Sequence, residues 1–156
     1  MSETGYWITQ KGSSDAPRRH WSGRDLLNGT VIQHFSLAVG PWAQRNVRPG
    51  DRVLIYWPGV RLFMGTFAVI GPIGYHDSLP EGWRYAAPLA PRIVLADPAD
   101  GIPLDAAMGL GGEKIRRFAR GACARGLYRI DRETFEPIEA ALAPYAYAGD
   151  FRDLAR

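Results

Sequence analysis

Apolar and polar positions alternate along this chain in short segments, most of them of strand length. Tyr6-Trp7-Ile8 opens an aromatic strand over Gly5 to Gln10, and Lys11 to His20, with Gly12, Ser13, Ser14 and Pro17, reads as a loop. Ser22 is placed to cap a short helix through Asn28, Gly29 supplies the backbone freedom that ends it, and Val31 to Leu37 is extended. The turn Pro49-Gly50-Asp51 leads into Arg52 to Trp57, whose sequence RVLIYW is apolar at both alternating sets of positions. A strand buried on both faces, central in a sheet, requires that pattern. Pro58-Gly59 turns the chain into a second such strand, Leu62 to Ile70, and the two make a hairpin; Gly65 inside it marks a bulge or the close approach of another backbone. Ile73 to Trp83, with its Gly, Pro, Asp and Ser, is a long loop, and Arg84 to Leu89 and Arg92 to Leu95 are two further strands.

Beyond residue 100 the period lengthens. Pro103 and the run Leu-Asp-Ala-Ala-Met start a short helix that Gly109, Gly111 and Gly112 break, and a basic helix from Glu113 to Arg120 follows. Gly126 to Ile130 is a late strand. Phe135, Ile138 and Leu142 share one face of a last helix, about Phe135 to Ala143, capped by Thr134 or Asp131; with Thr134 as the cap, Pro137 falls in the first turn, where its missing N–H costs little. Short strands with a few short helices predict an α+β fold, a curved and mostly antiparallel β pseudobarrel.

Composition sharpens this picture in three ways. The 156 residues suit a single domain, its core about 5–143 and 144–156 an extension, because no Pro/Gly/Ser run is long enough to separate two cores. With 46% apolar and 22% charged residues, burial can offset the entropy of ordering the chain. No run of about 18 apolar residues occurs, MSETGYWITQ lacks a basic and apolar leader pattern, and the single Cys123 has no intrachain disulfide partner. The expectation is a cytoplasmic protein that does not enter a membrane.

The net charge of +3 is unevenly spread. Between residues 113 and 132, Lys114, Arg116, Arg117, Arg120, Arg125, Arg129 and Arg132 face only Glu113 and Asp131, a local +5, so the rest of the chain is slightly acidic. Seventeen of the nineteen basic residues are arginines, whose planar forks suit phosphate and base edges. A GC-rich genome also enriches Arg, Gly, Ala and Pro, but it does not gather the arginines into one segment.

Several chemistries drop out. His20, His34 and His76 lie far apart and no Cys-x-x-Cys or His-Glu-x-x-His accompanies them, so no metal-binding spacing is present. The glycines at 109, 111 and 112 fit neither a phosphate loop nor a dinucleotide fingerprint and read as a hinge. Cys123 has Arg120 and Arg125 nearby but no base placed to activate it, and Asp97 and Asp100 sit in a turn beside Pro98 and Gly101. No catalytic residue, metal or cofactor is assigned.

What remains is aromatic. Five tryptophans and seven tyrosines are many for this length, and several stand beside turn residues: Trp21 after Arg18-Arg19-His20, Trp42 after Gly40-Pro41, Trp57 before Pro58, Trp83 before Arg84 and Tyr85. Strand ends and loops form a barrel's mouth, where aromatic faces can sandwich a base. Trp7 and Trp57, within strands, are core candidates; Trp21, Ser22, Trp42, Tyr75, Trp83 and Tyr85 are pocket candidates, with Trp21 and Trp83 foremost.

The order of these segments resembles the EVE domain family of the PUA-like superfamily. Tyr6-Trp7-Ile8, then Pro49-Gly50-Asp51 before Val53-Leu54-Ile55-Tyr56, then Gly65-Thr66-Phe67-Ala68-Val69-Ile70, are similar to that family's yW, pGD.v.fY and G.a.v motifs. Pro88-Leu89-Ala90-Pro91-Arg92 and Arg129-Ile130-Asp131 ahead of Phe135 and Ile138 are also family-like. The resemblance implies a pseudobarrel and a relation to YTH domains, which hold N6-methyladenosine in an aromatic cage. By that relation Trp21 and Trp83 face the base, although the loop from Gly71 to Trp83 departs from the YTH pattern. The implied function is non-catalytic recognition of a modified base in RNA or DNA, or of a nucleotide, with Lys114, Arg116, Arg117, Arg120 and Arg125 holding phosphate. Two readings compete with it. One is a small hydrolase of modified nucleosides, like PUA-like relatives of the ASCH kind, in which Lys11 or Lys114 would work with a carboxylate. The other is a protein-binding accessory module whose basic segment meets an acidic partner.

Overall fold

The computed structural model describes residues 3–10, 36–39, 41–58, 61–77, 84–95, 97–120 and 127–149. Strands β1 (Tyr6–Gln10), β2 (Ser36–Val39), β3 (Arg52–Trp57), β4 (Leu62–Val69), β5 (Gly74–Tyr75), β6 (Tyr85–Val94), β7 (Ile102–Pro103) and β8 (Leu127–Ile130) form one sheet. Its order is β2-β6-β4-β3-β1-β8, with β5 on β6 and β7 on β4. All pairings are antiparallel except β1 with β3. Helices α1 (Leu104–Gly111), α2 (Glu113–Ala119) and α3 (Arg132–Leu142) complete an α+β, PUA-like pseudobarrel.

The central strand explains the layering. Val53 and Ile55 point to one face of the sheet, where Trp7, Met64, Phe67 and Val94 pack with Ala43 and Val47, which lie in and just after the 3₁₀ turn Pro41–Arg45. Leu54 and Tyr56 point to the other, where Phe63, Ile115, Phe118, Phe135 and Ile138 join strands to helices. RVLIYW is apolar throughout because each of its faces has its own core. Helices α1, α2 and α3 cover the second face.

Several expected boundaries shift. The two strands expected at 84–89 and 92–95 are one ten-residue strand, β6, running through Pro88 and Pro91. Pro91 is tolerated because the pairing slips between Thr66 and Phe67 of β4, which relieves the ladder where its N–H donor is missing; Pro88 lies opposite Ser36 of β2. Gly65 does mark a close approach: a Cβ there would lie 2.5 Å from the Ile93 carbonyl oxygen. Part of the long loop expected at 73–83 pairs as β5. Gly109 and Gly111 lie within α1, and the chain breaks only at Gly112, whose φ of +74° favours glycine. The last helix starts earlier than expected: Asp131 accepts from the Thr134 N–H at 2.9 Å and caps it, so Pro137 lies inside α3. The helix expected at 22–28 falls outside the described residues, as does all but the end of the extended segment at 31–37.

Two carboxylates tie these layers together. Glu139 of α3 takes two bonds from Arg92, at 2.7 and 3.0 Å, and one from the buried Thr66 hydroxyl at 2.7 Å. Burial pushes its carboxyl up, but the Arg92 and Thr66 bonds outweigh that and hold it below the ordinary glutamate value. Asp51, only 3% exposed, accepts from the Gly5 N–H at 2.7 Å, the Trp7 indole N–H at 2.9 Å and the Arg48 N–H at 3.0 Å. It fixes the start of β1 against the turn before β3.

Candidate functional site

The Pro-Gly-Asp turn organises one end of the sheet. Gly50 at φ +96° turns the chain, and Asp51 then fastens Gly5, Trp7 and Arg48 through three N–H donors. Trp7 is thereby held in the core of the sheet face opposite helices α1–α3, at 2% exposure. Upon it rests Trp42 from the 3₁₀ turn, with ring centres 6.3 Å apart and planes tilted by 54°. Trp42 is 44% exposed, an indole that touches Trp7 and is also open to solvent. That is the geometry a stacking platform needs.

A second aromatic pair lies where β5 meets β6. Tyr85 packs against the same core cluster as Trp7, and Tyr75 stands edge-on to it at 5.4 Å, 54% exposed, with its hydroxyl 3.4 Å from an Arg84 guanidinium nitrogen. Trp42, Tyr75 and Tyr85 are thus all borne by the layer opposite helices α1–α3. Trp57, expected in the core, is partly buried and packs on that same cluster. Trp21, Ser22 and Trp83 lie outside the described residues.

The cations nominated for phosphate contact belong to the opposite layer. Lys114, Arg116, Arg117 and Arg120 are on or next to α2, whose Ile115 and Phe118 pack against the second face. Their charge is partly neutralised at home: Arg117 and Arg120 share Glu113, at 3.5 and 3.0 Å, and Lys114 stands 3.8 Å from Asp131. Thr134 and Lys114 together hold the Asp131 carboxyl below its ordinary value. Arg125 lies outside the described residues.

Two features went unnoticed in the sequence. Asp51 read as a turn residue, although an acid immediately before a strand apolar on both faces is well placed to be buried with donors. Arg129, counted only as part of the basic segment, lies 5.1 Å over the Trp7 ring on the aromatic face. Its register opposite Trp7 in the β1–β8 pair accounts for that placement. Among the described residues no three His, Cys, Asp or Glu side chains stand close enough to hold a metal ion.

No protein-family model matches the chain, and no curated protein matches it in sequence. Solved structures do. A protein of Rhodopseudomonas palustris superposes with a TM-score of 0.58 at 12% identity, covering 94% of this chain and 99% of that one. The YTH domain of the Zygosaccharomyces rouxii MRB1 protein, in complex with N6-methyladenosine RNA, gives 0.53 at 11% identity over 98% and 94%. The human THYN1 protein, in complex with DNA containing 5-methylcytosine, gives 0.53 at 12% identity over 88% and 96%. At these identities the likeness concerns the backbone, and over nearly the whole of each chain it shows that this protein shares the fold of these structures, the YTH domain and THYN1 among them.

Proposed function

We propose that the protein is a non-catalytic nucleic-acid-binding module that takes a base, modified by methylation or a like change, against the aromatic residues of the layer opposite helices α1–α3. The observation that carries this reading is the half-exposed Trp42 seated on the buried Trp7. An aromatic side chain half open to solvent can serve as a stacking platform, because every base offers a π-face to it. The fold neighbours bound to methylated RNA and methylated DNA support the choice of ligand class. On this reading Trp21, Ser22, Trp42, Tyr75, Trp83 and Tyr85 surround the base, and the arginines of the 113–132 segment meet phosphate. Base contacts then specify and phosphate contacts position.

The test is a titration of short single-stranded RNA and DNA carrying N6-methyladenine, 5-methylcytosine or the unmodified bases, followed by fluorescence anisotropy. Binding that weakens roughly tenfold to a hundredfold in Trp42→Ala or Trp21→Ala supports the reading, because base stacking contributes about 1 to 3 kcal/mol. Equal affinity in both variants contradicts it. Turnover of a modified nucleoside, lost in Lys114→Ala, would favour the hydrolase instead.

A further inference from the structure

The aromatic layer has cations of its own. Arg45 closes the 3₁₀ turn that carries Trp42, Arg48 follows three residues later, and Arg129 comes across from β8 over Trp7. All three are exposed, and with Gly5 and Asp51 they line a cleft of about 260 Å³. That is several times the roughly 30 Å³ a water molecule occupies in the liquid, so a phosphate group with part of its hydration fits. None of the three arginines takes part in an ion pair among the described residues, whereas Arg117, Arg120 and Arg132 each have one.

The carboxylates in the cleft do not cancel this. Asp51 is buried, and both of its oxygens accept neutral N–H donors, Arg48's own backbone N–H among them, so among the described residues it forms no ion pair with these guanidinium groups, and three arginines face two carboxylates. Glu3 is exposed at the rim. The larger neighbouring cleft, which shares Arg129 and Glu3, sets Lys114, Arg129 and Arg132 against Glu3, Asp131 and Glu133 and is balanced. Of the two, only the smaller has an excess of cationic side chains.

We propose that the Arg45–Arg48–Arg129 cleft is a phosphate-binding site, and that in a bound strand it takes the phosphate next to the base stacked on Trp42. This rests on the nucleic-acid reading above, and it adds a phosphate contact on the aromatic layer distinct from the α2 arginines. One 3₁₀ turn then presents an indole face and a guanidinium fork together. The adjacency suits a nucleotide, whose base and phosphate are joined through one sugar.

The experiment has two arms on the full chain. Pyrophosphate is titrated into ¹⁵N-labelled protein, with the backbone amides of Arg45, Asn46, Arg48 and Arg129 as reporters. A labelled single-stranded oligonucleotide is titrated at several salt concentrations into wild type, Arg45→Ala/Arg48→Ala and Arg116→Ala/Arg117→Ala. The proposal expects saturable shifts at those amides. It also expects Arg45→Ala/Arg48→Ala to bind the oligonucleotide roughly tenfold more weakly, with a salt slope lower by about one or more. Both arginines are exposed and form no ion pair among the described residues, so the variant should melt like wild type; Arg129→Gln is a second variant that keeps the stem over Trp7. Unchanged oligonucleotide affinity and slope in Arg45→Ala/Arg48→Ala overturns the cleft and leaves the nucleic-acid reading standing. Shifts with pyrophosphate but no oligonucleotide binding by wild type overturns that reading and keeps the cleft as a site for a small phosphorylated ligand. Absence of both overturns both.

Discussion

Asp51→Asn removes a single charge without changing shape, and its cost can be worked from three hydrogen bonds. One carboxylate oxygen accepts from the Gly5 N–H at 2.7 Å; the other accepts from the Trp7 indole at 2.9 Å and the Arg48 N–H at 3.0 Å. Asparagine has one acceptor oxygen. Placed where it keeps Trp7 and Arg48, it turns its NH₂ group toward the Gly5 N–H, donor against donor. A charge-assisted bond worth about 1.5–3 kcal/mol disappears, and a buried N–H is left without an acceptor at about 1–3 kcal/mol. The two surviving bonds weaken as well, since they lose their ionic partner. Relaxation of the turn recovers part of this, and a net loss of about 3 kcal/mol is expected. For a chain of this size that lowers the Tm by roughly 6–12 °C. Thermal melts and urea titrations measure it, and the indole N–H resonance of Trp7 reports the bond directly. A variant that melts within about 2 °C of wild type, with that resonance unmoved, refutes the anchoring role of Asp51 and with it the account of how Trp7 and Trp42 are held.

Further outcomes follow from other contacts. Gly65→Ala should disrupt the β4–β6 pairing and cost several kcal/mol, because its Cβ would meet the Ile93 carbonyl oxygen at 2.5 Å and backbone on both sides cannot yield; circular dichroism and melts check it. Glu139→Gln should flatten the acid side of the stability profile. Since the folded carboxyl lies below its ordinary value, its contribution is full above the unfolded value and is lost as pH falls through the folded one, so wild type and variant should converge in strong acid and diverge toward neutrality in urea titrations. Trp42→Ala should melt within about 1 kcal/mol of wild type while Trp7→Ala loses about 3–5 kcal/mol, the one being half-exposed and the other 2% exposed.

The strands of the sheet's centre were legible because burial on both faces leaves a mark no surface segment shares. RVLIYW and the segment after it could hardly be anything else, and Gly65 announced its close approach. Strand β6 reads as two in the sequence because prolines normally end ladders; Pro91 is tolerated through a pairing slip on β4 that no local pattern in β6 records. Asp131 and Thr134 are both competent caps by residue type, and only the bond between them decides that the helix starts at Arg132. For the site, periodicity separated Trp7 from Trp42 as buried from half-open, since one lies in a strand and the other after Gly-Pro. Charge clustering along the sequence drew attention to α2, but charge in space depends on register and layer. Arg45, Arg48 and Arg129 are scattered in the chain and meet only because β8 returns beside β1 and Asp51 pins the preceding turn.

The central claim is that the layer opposite helices α1–α3, with Trp42 and its neighbouring arginines, is the nucleic-acid-binding surface. A ¹H–¹⁵N titration of the full chain with single-stranded oligonucleotides bearing methylated or unmodified bases maps that surface directly. The account predicts that the largest shifts fall on the Trp42 indole N–H, the amides of Tyr75 and Tyr85, and those of Arg45, Arg48 and Arg129. Shifts confined to Arg116, Arg117 and Arg120 on the helical layer, or no shifts with any of the oligonucleotides, would contradict it.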